Sequence, residues 1–105
     1  MPTYISLLRF TQKGIQTIKD GPAQLDDAKK FFQSMGAEVI QYYLVMGKYD
    51  AIGIFNAPDD ETVAKLALAI GHAGYVQTHT FRAFPEDEYR KIIDALITEG
   101  ALEDS

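Results

Sequence analysis

Two strand-like runs, residues 37–46 (AEVIQYYLVM) and 49–57 (YDAIGIFNA), stand back to back between two segments patterned as helices, and this arrangement restricts the fold more than any other feature. Only Gly47-Lys48 separates them, which fits a two-residue hairpin with glycine first, the type II′ preference. A hairpin flanked by helices must find its remaining sheet partners further out along the chain. Suitable runs lie at residues 3–10 (TYISLLRF) and 75–84 (YVQTHTFRAF), both short and rich in β-branched and aromatic side chains.

The helical segments carry their own punctuation. Pro22, behind Asp20 and Gly21, suits a first helical turn because its missing N–H would have no partner there. Leu25, Ala28, Phe32 and Met35 then recur at spacings of three and four, and Gly36 supplies the permissive residue that closes a helix. The second helix starts at Pro58-Asp59-Asp60-Glu61, with Asp59 as the expected N-cap, and its stripe is Val63, Leu66, Ala67 and Ile70. Its opposite side holds Ala64, Leu68 and Ala69, the pattern of a helix buried on two sides, and Gly71-His72-Ala73-Gly74 ends it. A last helix begins at Pro85-Glu86-Asp87-Glu88, carries Tyr89, Ile92, Ile93 and Leu96, and stops at Gly100; residues 97–105 are expected to fray. A loose turn is expected at residues 14–18, before the first helix.

The order is strand, helix, strand, strand, helix, strand, helix. The right-handed crossover rule makes its first six elements a ferredoxin-like βαββαβ unit, an α+β fold with both helices on one face of a four-stranded antiparallel sheet. Residues 1–105 form a single domain, since a chain this short supports one core. The strands do not alternate cleanly between apolar and polar: Val39 and Val45 flank Gln41 and Tyr43, while Ile5 and Leu7 alternate with Tyr4, Ser6 and Leu8. Both faces are therefore partly apolar, and the uncovered one calls for a partner, most simply a second copy in a symmetric dimer enclosing a cavity.

Composition narrows the function. The chain is 47% hydrophobic and 24% charged with formal charge -5, and contains no cysteine, which removes disulfides, thiolate ligands and a cysteine nucleophile. Residues 1–85 carry eight basic and eight acidic side chains, and residues 86–105 carry two and seven, so nothing forms the basic footprint a nucleic acid needs. With neither a long apolar run nor a secretory leader, a cytoplasmic location is expected, without a membrane partner. His72 and His79 match no metal-ligand spacing, and the glycines at 71 and 74 follow a helix instead of preceding one, so neither a metal site nor a nucleotide-binding loop is indicated.

His79, mid-strand, and Asp50, beside the hairpin, are the candidate catalytic residues: a neutral imidazole or a carboxylate of raised pKa would serve as a base. Each has a plainer reading, a polar strand residue for His79 and a strand-end acid for Asp50. His72 reads as an exposed helix-end histidine. Alternation puts Gln77, His79 and Phe81 on one sheet face and Thr78, Thr80 and Arg82 on the other, with the cavity-facing set left open.

The segments MGKYDAIGIFNAPDDE, PTYISLLRFT, GIQTIKDGP and the strand end RAF resemble the GYD domain family, named from a Gly-x-Tyr-Asp pattern, over residues 2–92. Gly21 departs from relatives that place serine ahead of the proline. The resemblance implies a dimeric α/β barrel, related to cofactor-independent antibiotic-biosynthesis monooxygenases, ethyl tert-butyl ether degradation proteins and stress-responsive barrel proteins. It carries no assigned catalytic residue or reaction. Haem-binding relatives keep a single-histidine haem ligand open, although no cofactor is expected.

The expected function is binding of a small, largely apolar molecule in the barrel cavity of a homodimer or higher homo-oligomer, oriented by Gln41, Tyr43, His79, Thr80 and Arg82. The alternatives are a cofactor-independent monooxygenase or isomerase, and a structural assembly module.

Overall fold

The computed structural model describes residues 1–102. Its elements are β1 (Thr3–Phe10), α1 (Gln12–Gln16), a 3-10 turn (Ile18–Asp20), α2 (Gly21–Ser34), β2 (Glu38–Leu44), β3 (Ala51–Asn56), α3 (Asp60–Ala73), β4 (Val76–Ala83) and α4 (Glu86–Thr98). The strands form one antiparallel sheet in the order β2-β3-β1-β4, and the chain is the ferredoxin-like α+β fold that its pattern of elements implies. The helix ends follow local chemistry. Asp59 accepts a hydrogen bond from the Thr62 N–H at 2.8 Å, which caps α3 and holds the Asp59 carboxyl below its usual pKa. Gly36 turns left-handed at φ 80° after α2, and the Ala37 N–H reaches back to the Phe32 carbonyl at 2.9 Å.

Four local expectations need correction. The hairpin between β2 and β3 is not a two-residue turn: the Val45 N–H bonds to the Asp50 carbonyl at 2.9 Å, leaving residues 46–49 as a four-residue loop. Gly71 does not break α3, which continues to Ala73 and closes at Gly74 with φ 87°. An isolated glycine without left-handed backbone only weakens a helix. The strand register shifts between Val39 and Gln41, so a bulge puts Val39 opposite Phe55 on the helix side while Gln41 and Tyr43 point to the other face. Fraying does not begin at residue 97: α4 includes Ile97 and Thr98, and the Ala101 N–H bonds to the Leu96 carbonyl. Residues 103–105 lie outside the described residues.

The core occupies one end of the sheet. Tyr4, Phe55, Ala57, Val63 and Leu66 are buried there, with Phe32, Met35 and Val39 packed against them. Phe55 stacks on Tyr4 at 5.6 Å and meets Phe32 edge-on at 5.1 Å, so two strands and α2 share one aromatic cluster. Toward the other end α2 leans on β2 and α3 on β4, and the two helices stand apart. Between them runs an apolar groove of about 790 Å³.

α4 makes no extensive packing with any other element. The radius of gyration is 16.7 Å, against about 13 Å for a compact chain of this length. The longest dimension is 56 Å, far beyond the roughly 27 Å of an eight-residue strand. α4 projects from the body.

Gly14 is the tightest point of the backbone, because a Cβ there would come within 2.1 Å of the Tyr75 carbonyl oxygen, which already accepts from the Thr11 N–H. Gly14→Ala is expected to lose about 1–3 kcal/mol of stability in urea unfolding, as overpacked interiors do. Gly71→Ala, where the added methyl meets nothing within 4 Å, should instead gain about 0.5–1 kcal/mol.

Candidate functional site

Strand register decides which side chains share the uncovered face. One row across it reads Tyr43, Ile52, Leu7 and His79, and the next reads Gln41, Ile54, Ile5 and Phe81. Aliphatic side chains fill the middle of both rows, and polar or aromatic groups stand at the ends. Phe81 is 46% exposed and Tyr43 51%, although β4 and β2 flank an apolar centre. The strands supply this pattern because each faces helices with one set of side chains and, among the described residues, no helix with the other.

The candidate residues therefore separate. Gln41, Tyr43 and His79 lie on the open face. Thr80 and Arg82 lie on the helix side, opposite Ser6 and Tyr4 of β1. The Thr80 hydroxyl sits 2.7 Å from that of Ser6, each satisfying the other. Arg82 donates to the backbone carbonyls of Thr3 and Ala83 and forms a 3.2 Å ion pair with Glu88 on α4, while its guanidinium lies 4.3 Å from the Phe84 ring centre. Arg82 thus ties β1, β4 and the start of α4 together. His72 is exposed in the last turn of α3.

The Gly-x-Tyr-Asp segment forms a strap over one end of the open face. Gly47 takes φ 115°, a conformation that side chains with a Cβ rarely adopt, and lets the four-residue loop turn. Tyr49 then folds onto His79, the rings meeting edge-on at 5.7 Å, and the Arg9 guanidinium lies 5.5 Å from the Tyr49 ring centre. Arg9 also donates from Nε to the Lys48 carbonyl at 2.9 Å. Asp50 fastens the strap, since its Oδ2 accepts from the Phe10 N–H at 2.9 Å and its own N–H donates to the Leu8 carbonyl at 2.8 Å. Asp50 is thus engaged with backbone.

Nothing in the sequence marks Arg9 for this role. Tyr49 read as the first residue of a strand, and only the four-residue loop turns it back over His79. Among the described residues, no three His, Asp or Glu side chains gather as metal ligands would, and no helix is long and apolar enough to cross a membrane.

The fold and its strap define a class: small α+β domains with an exposed apolar sheet face and a Gly-x-Tyr-Asp loop laid across it. The sequence model of the GYD domain matches residues 4–93, and the chain belongs to that family. It is also 33% identical over 86 residues to a protein of Thermus thermophilus named glutamine synthetase and cystathionine beta-lyase binding protein, an alignment covering 81% of this chain and 90% of that one.

Asp50→Ala removes the acceptor of the Phe10 N–H and should cost about 1–3 kcal/mol, the penalty of an unsatisfied amide. Asp50→Asn, which keeps an acceptor oxygen, should recover part of that loss. A second test concerns Tyr4, which is buried and donates its hydroxyl hydrogen bond to the Asp60 carboxylate. That bond first, and burial next, raise the Tyr4 pKa above 10. The folded state therefore holds the phenol proton longer than the unfolded chain does. The resulting stability is present in full below about pH 10 and disappears as pH rises through the folded pKa. Burial raises Tyr42 in the same direction, so Tyr4→Phe is expected to flatten part of the alkaline fall in unfolding midpoint.

Proposed function

We propose that this protein is a protein-binding module whose contact surface is the open face of its sheet, and that two copies cover that face for each other when no other partner does. The observation that carries this reading is the pair of apolar rows centred on Ile5, Leu7, Ile52 and Ile54, which no helix among the described residues covers. A layered domain is stable with one sheet face bare only if that face is polar. This one is not.

The kind of partner is suggested by the Thermus relative, named for binding two enzymes of amino-acid metabolism. By that likeness the partners of this chain are enzyme subunits, with glutamine synthetase and cystathionine β-lyase the first to try. The polar ends of the rows, Gln41, Tyr43 and His79, would set orientation against such a surface, as the rim of a protein interface does. Arg82 supports this face from behind, and Asp50 fastens the strap at its end, each through backbone bonds.

A second reading, the binding of a small, largely apolar molecule between two facing sheets, is favoured by one observation: Gln41, Tyr43 and His79 share the open face with its aliphatic rows. Pairing two such faces would surround a ligand with apolar walls and a few polar groups. Thr80 and Arg82, on the helix side, would act on it only through the strands.

Sedimentation of the chain at micromolar concentration is expected to give a dimer or larger assembly, with Ile54→Lys lowering the mass of that assembly while leaving circular dichroism unchanged. The same substitution should reduce capture of purified glutamine synthetase or cystathionine β-lyase at least tenfold. A compact monomer at that concentration, or capture unaffected by Ile54→Lys, would overturn the reading. For the small-molecule alternative, native mass spectrometry of the purified assembly should show a retained mass that His79→Ala or Tyr43→Ala releases.

A further inference from the structure

On the opposite side of the molecule, α4 and the groove between α2 and α3 are two unfinished halves of one packing arrangement. α4 has 13 residues, which makes it about 20 Å long. Tyr89, Ile92, Ile93 and Leu96 form its stripe at spacings of three and four, yet Tyr89 is 57% exposed and Ile92 41%. Its connection to the body runs through Phe84 and Pro85, with the Arg82–Glu88 ion pair at its first turn.

The groove is the matching concavity. Leu25 and Ala28 of α2 form one wall, Ala67 and Ile70 of α3 the other, and Leu8 and Thr78 lie in its floor. Leu25, Ala28, Ala67 and Ile70 are all half-buried, so the apolar stripes of both helices are only partly covered. Alanines on both walls allow close approach of a third helix. Packed helices lie about 8–10 Å apart, and a seated α4 would give α2 and α3 the neighbour they lack.

The chain's own α4 cannot supply it. β4 ends beside Thr3 and Asn56, since Thr3 pairs with both Ala83 and Asn56, whereas the groove, closed toward that end by Phe55, Val63 and Leu66 of the core, opens toward Phe10 and Val76. α3 packs over β4 between the two places, and a two-residue connection cannot carry the chain across it. We infer that α4 of one copy seats in the α2/α3 groove of a second copy, completing its helical layer. A helix about 20 Å long and 10 Å across, seated to half its circumference, removes roughly 400 Å² from water and covers a similar area of groove, so two reciprocal seats bury about 1,600 Å², the size of a stable dimer interface. The contact is separate from the open sheet face.

The chain contains no cysteine, so introduced thiols report alone. Chains carrying Ile93→Cys, in the stripe of α4, are mixed with chains carrying Ala28→Cys, in the groove wall, and gently oxidised. A disulfide between the two chains is expected at least tenfold faster than with Asp94→Cys, on the other side of α4, in place of Ile93→Cys. Equal rates from both sides of α4 would overturn the inference, as would ring closure within one chain of the double variant at nanomolar concentration. Ile54→Lys should leave this cross-link intact, which distinguishes failure here from failure at the sheet face. Hydrogen exchange on the unmodified protein gives the second check: α4 amides should be protected tenfold or more at micromolar concentration and lose that protection on dilution. Coil-like exchange at every concentration, the mark of a helix without a seat or of a groove filled by some smaller apolar molecule, would overturn it.

Discussion

Where Phe32 meets Phe55 edge-on and Phe55 stacks on Tyr4, α2, β3 and β1 are held to one another, and Val63 and Leu66 bring α3 to the same place. All of this burial sits at the end of the sheet where β1 begins and β3 finishes. The C-terminal half of α2 and the N-terminal half of α3 are pinned there. Their other halves diverge, because Ser6, Thr78 and Thr80 in the floor and the alanines on the walls offer too little apolar bulk to draw them together. The groove is thus the other side of a core concentrated at one end.

The same shortage of covering surface explains the outside of the molecule. A chain of 105 residues has few elements to spend on two sheet faces and three long helices. Two helices lie on one face, none on the other, and α4 stands clear. Among the described residues, the rows around Ile5 and Leu7, the groove, and the stripe of α4 remain open apolar surfaces. Such surfaces in a stable domain point to association, and membership of a family with a relative named as a binder of other proteins is consistent with that direction.

Much of this was legible in the chain. The caps at Asp59 and Gly36, the stripes of α2 and α3, the strand order and the absence of cover on one face follow from short-range spacing, which needs no knowledge of distant contacts. The Gly-x-Tyr-Asp motif was legible as a loop and a family mark. Its work was not, because the fastening of Asp50 to the Phe10 N–H and the fold of Tyr49 onto His79 join residues 40 and 30 positions apart. The candidate site was half legible: alternation separated His79 from Thr80 and Arg82, but gave no sign of which set met the helices.

The sequence by itself determined the kind, order and approximate ends of the elements, since periodicity, prolines, glycines and capping acids act within a turn or two of chain. Only the tertiary structure decided which faces those elements present. The bulge between Val39 and Gln41 turns Val39 inward and leaves Gln41 outward. The Tyr75 carbonyl beside Gly14 fixes a glycine that looked merely like part of a loop. Register and close approach depend on atoms far apart in the chain, and a single inserted residue in a strand reverses every side chain beyond it.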